Sequence, residues 1–273
     1  MSEATSYGDS LDWTVTRYNT QILTNPPTSD PNTFALLRSD IPSPYNILGY
    51  VSKDYEAVQN QKLLDLAQPL IDNGIAYIAN QGYLQYGKKV FLQLNLYENF
   101  RITDHNHKSF ITILNSFNGT STLGIGTGSI RVICQNTFLA AQQELNTKLA
   151  HRLGINDKLD LSVVLQYVNT TNTIYKQNVE ILDKIKIPVD KLGKIIRHVF
   201  GADVKDKIYN NIVSLYRTGN GNTGSTAYDL FSATTDYVSH YQSKNPISSA
   251  SNPLIGNGAK KSQKMLETLL ALV

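Results

Sequence analysis

The spacing of hydrophobic and polar residues changes several times along the chain. Residues 34–38 form a short apolar run, and after a break at Pro42 and Pro44 residues 45–51 are β-branched and aromatic; both predict strands. Between 55 and 73, Val58, Leu63, Leu66, Leu70 and Ile71 fall at helical spacing, with a stop at Asn73 and Gly74. The period then shortens. Residues 75–78, 89–96 and 110–114 predict three strands with short links, the pattern of an antiparallel meander. In the middle strand Val90, Leu92, Leu94 and Leu96 alternate with Lys89, Phe91, Gln93 and Asn95, which predicts one apolar and one mostly polar face.

A glycine-rich stretch, Gly124 to Ser129, reads as the loop opening a second helix, because Ile130, Cys134, Phe138, Ala141, Leu145 and Leu149 recur every three or four residues. Residues 157–217 read as helical and basic, interrupted at Pro188; residues 218–225 read as a flexible Gly/Asn loop, and 226–241 as a helix. A Ser/Asn/Pro linker over 243–258 precedes a short amphipathic helix with Met265, Leu266, Leu269 and Leu270 on one side. The fold class expected is α+β: an antiparallel meander packed against helices, in the order β-β-α-β-β-β-α, followed by a mainly helical half. The expected organisation is a weakly ordered N-terminal arm over 1–33, a core over 34–150, a helical subdomain over 151–241, and a linker with a C-terminal helix over 242–273. Trp13 is a candidate anchor for the arm, against the body or a neighbouring subunit.

Composition narrows the function classes. Of 273 residues 41% are apolar, enough for a buried core, so disorder throughout is excluded. No apolar run reaches the ~18 residues of a membrane span, and residues 1–13 lack the pattern of a secretory signal. One cysteine excludes a disulfide scaffold or a multi-thiolate zinc site, and a reducing cytoplasm is expected. The net charge is only +3, but it is unevenly placed. Residues 1–147 carry 9 Lys/Arg against 12 Asp/Glu, and residues 148–217 carry 12 against 7. A polyanion suits such a basic stretch, although acids interleave it and surface ion pairs give the same pattern.

Several residue clusters suggest chemistry. The hairpin around Tyr83, Tyr86, Lys88, Lys89, Phe91, Tyr97, Phe100 and Arg101 interleaves rings with cations, as a platform for single strands does: rings stack on bases and cations track phosphates. The same residues would also suit a sheet whose rings are covered. The glycine-rich loop, with Thr127, Ser129 and Arg131, offers backbone and hydroxyl donors at a helix start. It lacks the Walker A and dinucleotide patterns, so a plain connection is favoured over a nucleotide site. His105 and His107, beside Asp104, have metal-ligand spacing but no third ligand, so a solvated turn is favoured. Cys134, among apolar neighbours, reads as an inert core thiol rather than a nucleophile. No catalytic constellation, metal site or cofactor motif stands out, and a non-enzymatic protein is expected.

The phrases FALLRSD, LGYVSKDYEAVQN, YLQYGKKVFLQLNL, NSFNGTS, SIRVICQNTFLAA and TAYDLFSATTDYVSHY occur in this order over about residues 34–241. Together they resemble the phage/plasmid-like protein family, a domain-of-unknown-function family of phages, prophages and plasmids. Arg131 with Cys134, Gln135, Asn136 and Thr137 looks like its most distinctive motif. The expected core order is also similar to that of single-strand annealing recombinases, which form rings or filaments. The resemblance implies phage DNA metabolism in the cytoplasm of an infected or lysogenic bacterial host. The leading expectation is a single-stranded DNA-binding and annealing protein of recombination or replication, acting as a ring or filament homo-oligomer. Lys88, Lys89, Arg101 and Arg131 would contact phosphates, with Thr127 and Ser129 beside them. Tyr83, Tyr86 and Phe91 would stack on bases, and the helical half with its C-terminal helix would join subunits. The alternative is a structural or host-interaction protein that does not bind DNA; a nucleotide-using enzyme built on the glycine-rich loop comes third.

Overall fold

The structure, a computed structural model, describes residues 10–22, 26–102, 105–119, 123–131, 136–138, 161–243, 252–253 and 257–272. The class is α+β, with antiparallel pairing toward the N-terminus and a mainly helical C-terminal half. Strands β1 (Val15–Ile22), β2 (Thr28–Arg38) and β3 (Ile47–Ser52) form one antiparallel sheet in that order. Helix α1 (Asn60–Asp72) follows. A second sheet runs β4 (Ala76–Leu84), β5 (Lys89–Ile102), β6 (His105–Ser116), β7 (Gly124–Arg131) and β8 (Asn136–Phe138), each hydrogen-bonded to its neighbours in that order. The helical half comprises α2 (Leu161–Lys184), α3 (Val189–Phe200), α4 (Asp206–Thr218), α5 (Ala227–Asp236) with a π-helical turn (Tyr237–Tyr241), and α6 (Asn257–Leu270). Among the described residues, no helix is long and apolar enough to cross a membrane.

Two expectations of the pattern change. The stretch within 1–33 read as a weakly ordered arm contains β1 and the start of β2. Pro31 is accommodated because the register shifts between Asn19, opposite Phe34, and Thr20, opposite Asp30; it falls in the bulge, where no ladder donor is required. The glycine-rich stretch is strand β7, not a loop that opens a helix. Glycines alternate with Ile125, Thr127 and Ser129, a period of two that suits a strand, and β7 pairs with β8 from Ser129 to Arg131. The core order therefore gains strands where the second helix was expected. Cys134 and residues 139–160 lie outside the described residues.

The chain divides into two compact units. The first comprises Met1–Asn95, Ile111–Gly126 and Gln142–Leu165; the second comprises Leu96–Phe110, Thr127–Ala141 and Gln166–Val273. In the first unit, the polar groups of residues 55–60 bind this segment to both sheets. Gln59 exchanges hydrogen bonds with the N–H and C=O of Val15, both at 2.9 Å. Buried Asn60 donates to Trp13 O at 3.1 Å, Tyr55 Oη to Ser116 O at 3.1 Å, and Asn115 to Val58 O at 2.8 Å. Such side-chain to backbone bonds satisfy groups that strand edges would otherwise leave buried without partners. Leu63, Leu66, Ala67 and Leu70 bury the inner face of α1, as their spacing predicts.

In the second unit, α5 is buried along its whole length. Its core neighbours include Val179, Leu192, Ile196, Tyr216, Met265 and Leu269. The apolar face of α6 is buried inside its own unit, where the helix packs on α3 and α5. The loop read as flexible is held in place. Asn222 donates to Leu215 O at 2.8 Å and to Asp229 O at 3.3 Å, and Thr226 and Asp229 form a capping box at the start of α5. The buried Asp229 carboxylate accepts from Thr223, Ser225 and Thr226. Burial works to raise its pKa, but these hydrogen bonds prevail and hold it below the ordinary value of 3.8. A lowered carboxylate pKa stabilises the fold above the unfolded value and stops doing so as pH falls through the folded one. Asp229→Asn should therefore flatten the loss of stability below about pH 4, and Thr226→Ala should cost about 1 kcal/mol at neutral pH. Urea unfolding across pH measures both.

Candidate nucleic-acid interface

The expected hairpin turns through Gln85–Gly87, where three consecutive residues occupy the left-handed region with φ of 54°, 58° and 99°. Only glycine adopts this at no cost; a non-glycine there costs on the order of 1–3 kcal/mol and persists only where the surroundings impose it. The surroundings are an arginine clamp. Arg38 is 3% exposed, and its guanidinium lies 4.3 Å from the centroid of Trp13 and 4.2 Å from that of Tyr83. Its edge makes a fork with Asp40: Nε to Oδ1 at 2.5 Å and Nη2 to Oδ2 at 2.7 Å. The remaining Nη1 donates to Tyr86 O at 3.2 Å. Stacking and bidentate pairing both suit a planar guanidinium and not an ammonium. The hydrogen bond from Arg38 holds the Asp40 carboxyl below its ordinary value. A Cβ on Gly87 would come 3.0 Å from Arg38 Nη1 and 3.1 Å from the Trp13 ring, so the clamp requires glycine there.

The clamp presents a surface. Tyr86 is 38% exposed and lies against Tyr45, which is 58% exposed, with ring centroids 5.6 Å apart and planes at 37°. Lys88 and Lys89 follow directly, both half-buried, and neither ammonium has an ion-pair partner among the described residues. The arrangement is two accessible rings with two unneutralised cations close behind in sequence. Tyr45 had no signal in the sequence, because it lies on the turn between β2 and β3, about forty residues from the hairpin. Arg38 had none because a buried cation reads as an ordinary charged residue at a strand end.

The other candidate residues are placed differently. Tyr83 is edge-on to Trp13, with centroids 6.3 Å apart, and Arg38 covers it; its ring belongs to the clamp. Phe91 is 1% exposed and Gln93 is 3% exposed. Over residues 90–94 the strand expected to have a polar face is buried on both sides, and Phe91 is not on offer to a base. Thr127 and Ser129 are buried in β7. Thr127 Oγ1 donates to Phe110 O at 2.8 Å, and Ser129 Oγ is bonded to His107 Nδ1 at 3.0 Å, so neither hydroxyl is free for a phosphate. Arg101, exposed on β5, and Arg131, at the end of β7, belong to the second unit; the Arg131 and Phe100 side chains lie outside the described residues.

The His105/His107 pair lies on strand β6, not in a solvated turn. His107 is fully buried; its Nε2 bonds to Tyr228 Oη at 3.2 Å, which leaves both ring nitrogens satisfied. His105 lies against the same tyrosine, 5.5 Å between centroids. Among the described residues, no group of three or more His, Cys, Asp or Glu is placed to hold a metal ion.

A family model described as a domain of unknown function (DUF932) matches residues 47–269. No curated protein and no solved structure matches the chain. Gly87→Ala should lower the stability of the first unit by about 1–3 kcal/mol. Arg38→Lys should destabilise it too, because an ammonium cannot occupy both rings and the Asp40 fork. Denaturant unfolding followed by emission of Trp13, the lone tryptophan, reads both losses.

Proposed function

The chain belongs to the DUF932 family, and on that premise we propose that it binds single-stranded DNA on the Tyr45–Tyr86 surface. The observation that carries this reading is the left-handed Gln85–Gly87 turn. Backbone strain collects where a side chain must be held in one position for use, and here the clamp from Arg38 holds Tyr86 beside Tyr45 at the surface. Two accessible rings supply sequence-tolerant stacking, worth about 1–3 kcal/mol per base, and Lys88 and Lys89 supply phosphate contacts. Among the described residues their ammonium groups are not spent on carboxylates, so phosphate can recruit them without breaking an ion pair there.

The biological setting we propose follows from the resemblance to phage and plasmid proteins. It is strand annealing in recombination or replication, by a homo-oligomer, in the cytoplasm of a bacterium that carries the mobile element. A second reading, protein–protein interaction without DNA, has one observation in its favour. Tyr18 and Tyr50 flank Ala35 across the three-stranded sheet, and both rings are more than half exposed. Such a row also suits a protein partner. Light scattering with and without oligonucleotide separates the two: assembly that ignores DNA favours the second.

The direct test is fluorescence anisotropy with a labelled single-stranded oligonucleotide at two salt concentrations. Tyr45→Ala/Tyr86→Ala should weaken binding at least ~10-fold with the salt slope retained, because stacking is lost and cations are not. Lys88→Ala/Lys89→Ala should reduce the log–log salt slope by about 1.4, since each phosphate contact on a single strand contributes about 0.7. An absence of binding at low salt overturns the reading.

A further inference from the structure

The second unit holds cations in an unusual way. Where acids interleave a basic sequence, ion pairs are the ordinary expectation. Among the described residues, none of the Lys and Arg on α3, α4 and α6 has a carboxylate partner. Two acids that balance this half in the sequence, Asp229 and Asp236, are withdrawn into the interior on α5. The cations near the C-terminal end of α3 are instead held by neutral groups. Arg197 lies over the ring of Tyr209, 5.6 Å from its centroid. Lys261 lies over Phe200 at 4.8 Å. Lys264 donates to His198 O at 2.6 Å, one of the carbonyls that the end of the helix leaves without an internal partner.

The choice of partner matters physically. A carboxylate orders a cation and cancels its field. An aromatic face or a carbonyl orders it and leaves most of the charge in place. Arg197 and Lys264 are exposed, so their remaining N–H donors reach solvent; Lys261 is half-buried, and burial draws its pKa below the ordinary value of 10.5. Asp190 stands at the other end of α3, Asp203 and Asp206 lie in and after the α3–α4 turn, and Glu267 is held by Gln263; none is within ion-pair distance of the three cations.

We infer that Arg197, Lys261 and Lys264 form a pre-ordered cationic surface on α3 and α6 that binds the phosphate backbone of single-stranded DNA, separate from the stacking rings of the first unit. The inference rests on the single-stranded DNA reading above and assigns to this second surface part of its sequence-independent, salt-sensitive affinity. Cations ordered before binding lose less side-chain freedom when a phosphate arrives.

The experiment compares three forms of the full chain on one labelled oligo-dT across a salt series: wild type, Tyr45→Ala/Tyr86→Ala, and Arg197→Gln/Lys261→Gln/Lys264→Gln. Lys, Arg and Gln have similar helix propensities, so α3 and α6 are preserved. The expected result is a triple variant whose log–log salt slope is shallower by about 2 than wild type. A triple variant with wild-type slope and affinity overturns the inference and leaves the first-unit reading standing. A ring variant with wild-type affinity beside a weakened triple variant does the reverse. No binding by wild type overturns both. If the triple variant fails to fold, Arg197→Gln alone carries the test: a slope shallower by about 0.7 supports the inference and an unchanged slope overturns it, with Arg197→Lys expected to restore the wild-type value.

Discussion

A guanidinium taken out of water must have its charge and its donors met, or the fold loses several kcal/mol. Arg38 meets this with two aromatic faces, one carboxylate fork and one backbone carbonyl. Beyond neighbouring Asp40, the partners come from residue 13 and the hairpin at 83–86, so one side chain draws two distant segments to its own strand end. The constraint extends outward. Gly87 favours glycine because its φ of 99° strains any other residue and because a Cβ there would crowd the guanidinium and the Trp13 ring. Gln85 and Tyr86 take up left-handed backbone because the carbonyl of Tyr86 is held by Arg38. The accessible position of the Tyr86 ring follows from the satisfaction of a buried charge.

The second unit solves the opposite problem. It buries carboxylates and hydroxyls rather than a cation, and satisfies them locally. Asp229 closes a capping box and gathers the preceding loop, while Thr234 and Thr235 return their hydroxyls to carbonyls within the helix. His107 is met on both nitrogens by Ser129 and Tyr228, a strand residue and a helix residue. With the acids of α5 inside, the surface of this unit is more cationic than its sequence. Charge counted along a chain is therefore a poor guide to the field at its surface when burial is selective.

Helix and strand type were largely legible. α1 and α6 follow from spacing at 3.6 residues, the helical character of 157–217 with its break at Pro188 from composition and proline, and the strand around residues 89–96 from alternation; the further break between α3 and α4 carries no such signal. Element type is a local property, and local periodicity reports it. Two expectations fail for different reasons. Gly124 to Ser129 has a period of two that glycine content disguised as a loop, and the apolar spacing beyond it suggested a helix where β8 pairs back on β7. Phe91 and Gln93 were read as a polar face because alternation reveals two faces but not whether the second is also covered.

The sequence by itself determined the α+β class, membership of a domain-of-unknown-function family, most helix positions and the concentration of rings and cations near residues 83–91. Tertiary structure alone decided which of those rings reach solvent, that Tyr45 joins Tyr86, that Arg38 rather than a surface lysine organises the hairpin, and that the hydroxyls of Thr127 and Ser129 are already engaged. The division has a physical reason. Propensity and period act over a few residues, whereas exposure, ring stacking and side-chain hydrogen bonding depend on partners tens to more than a hundred residues away in the chain, and these become neighbours only once the core has closed.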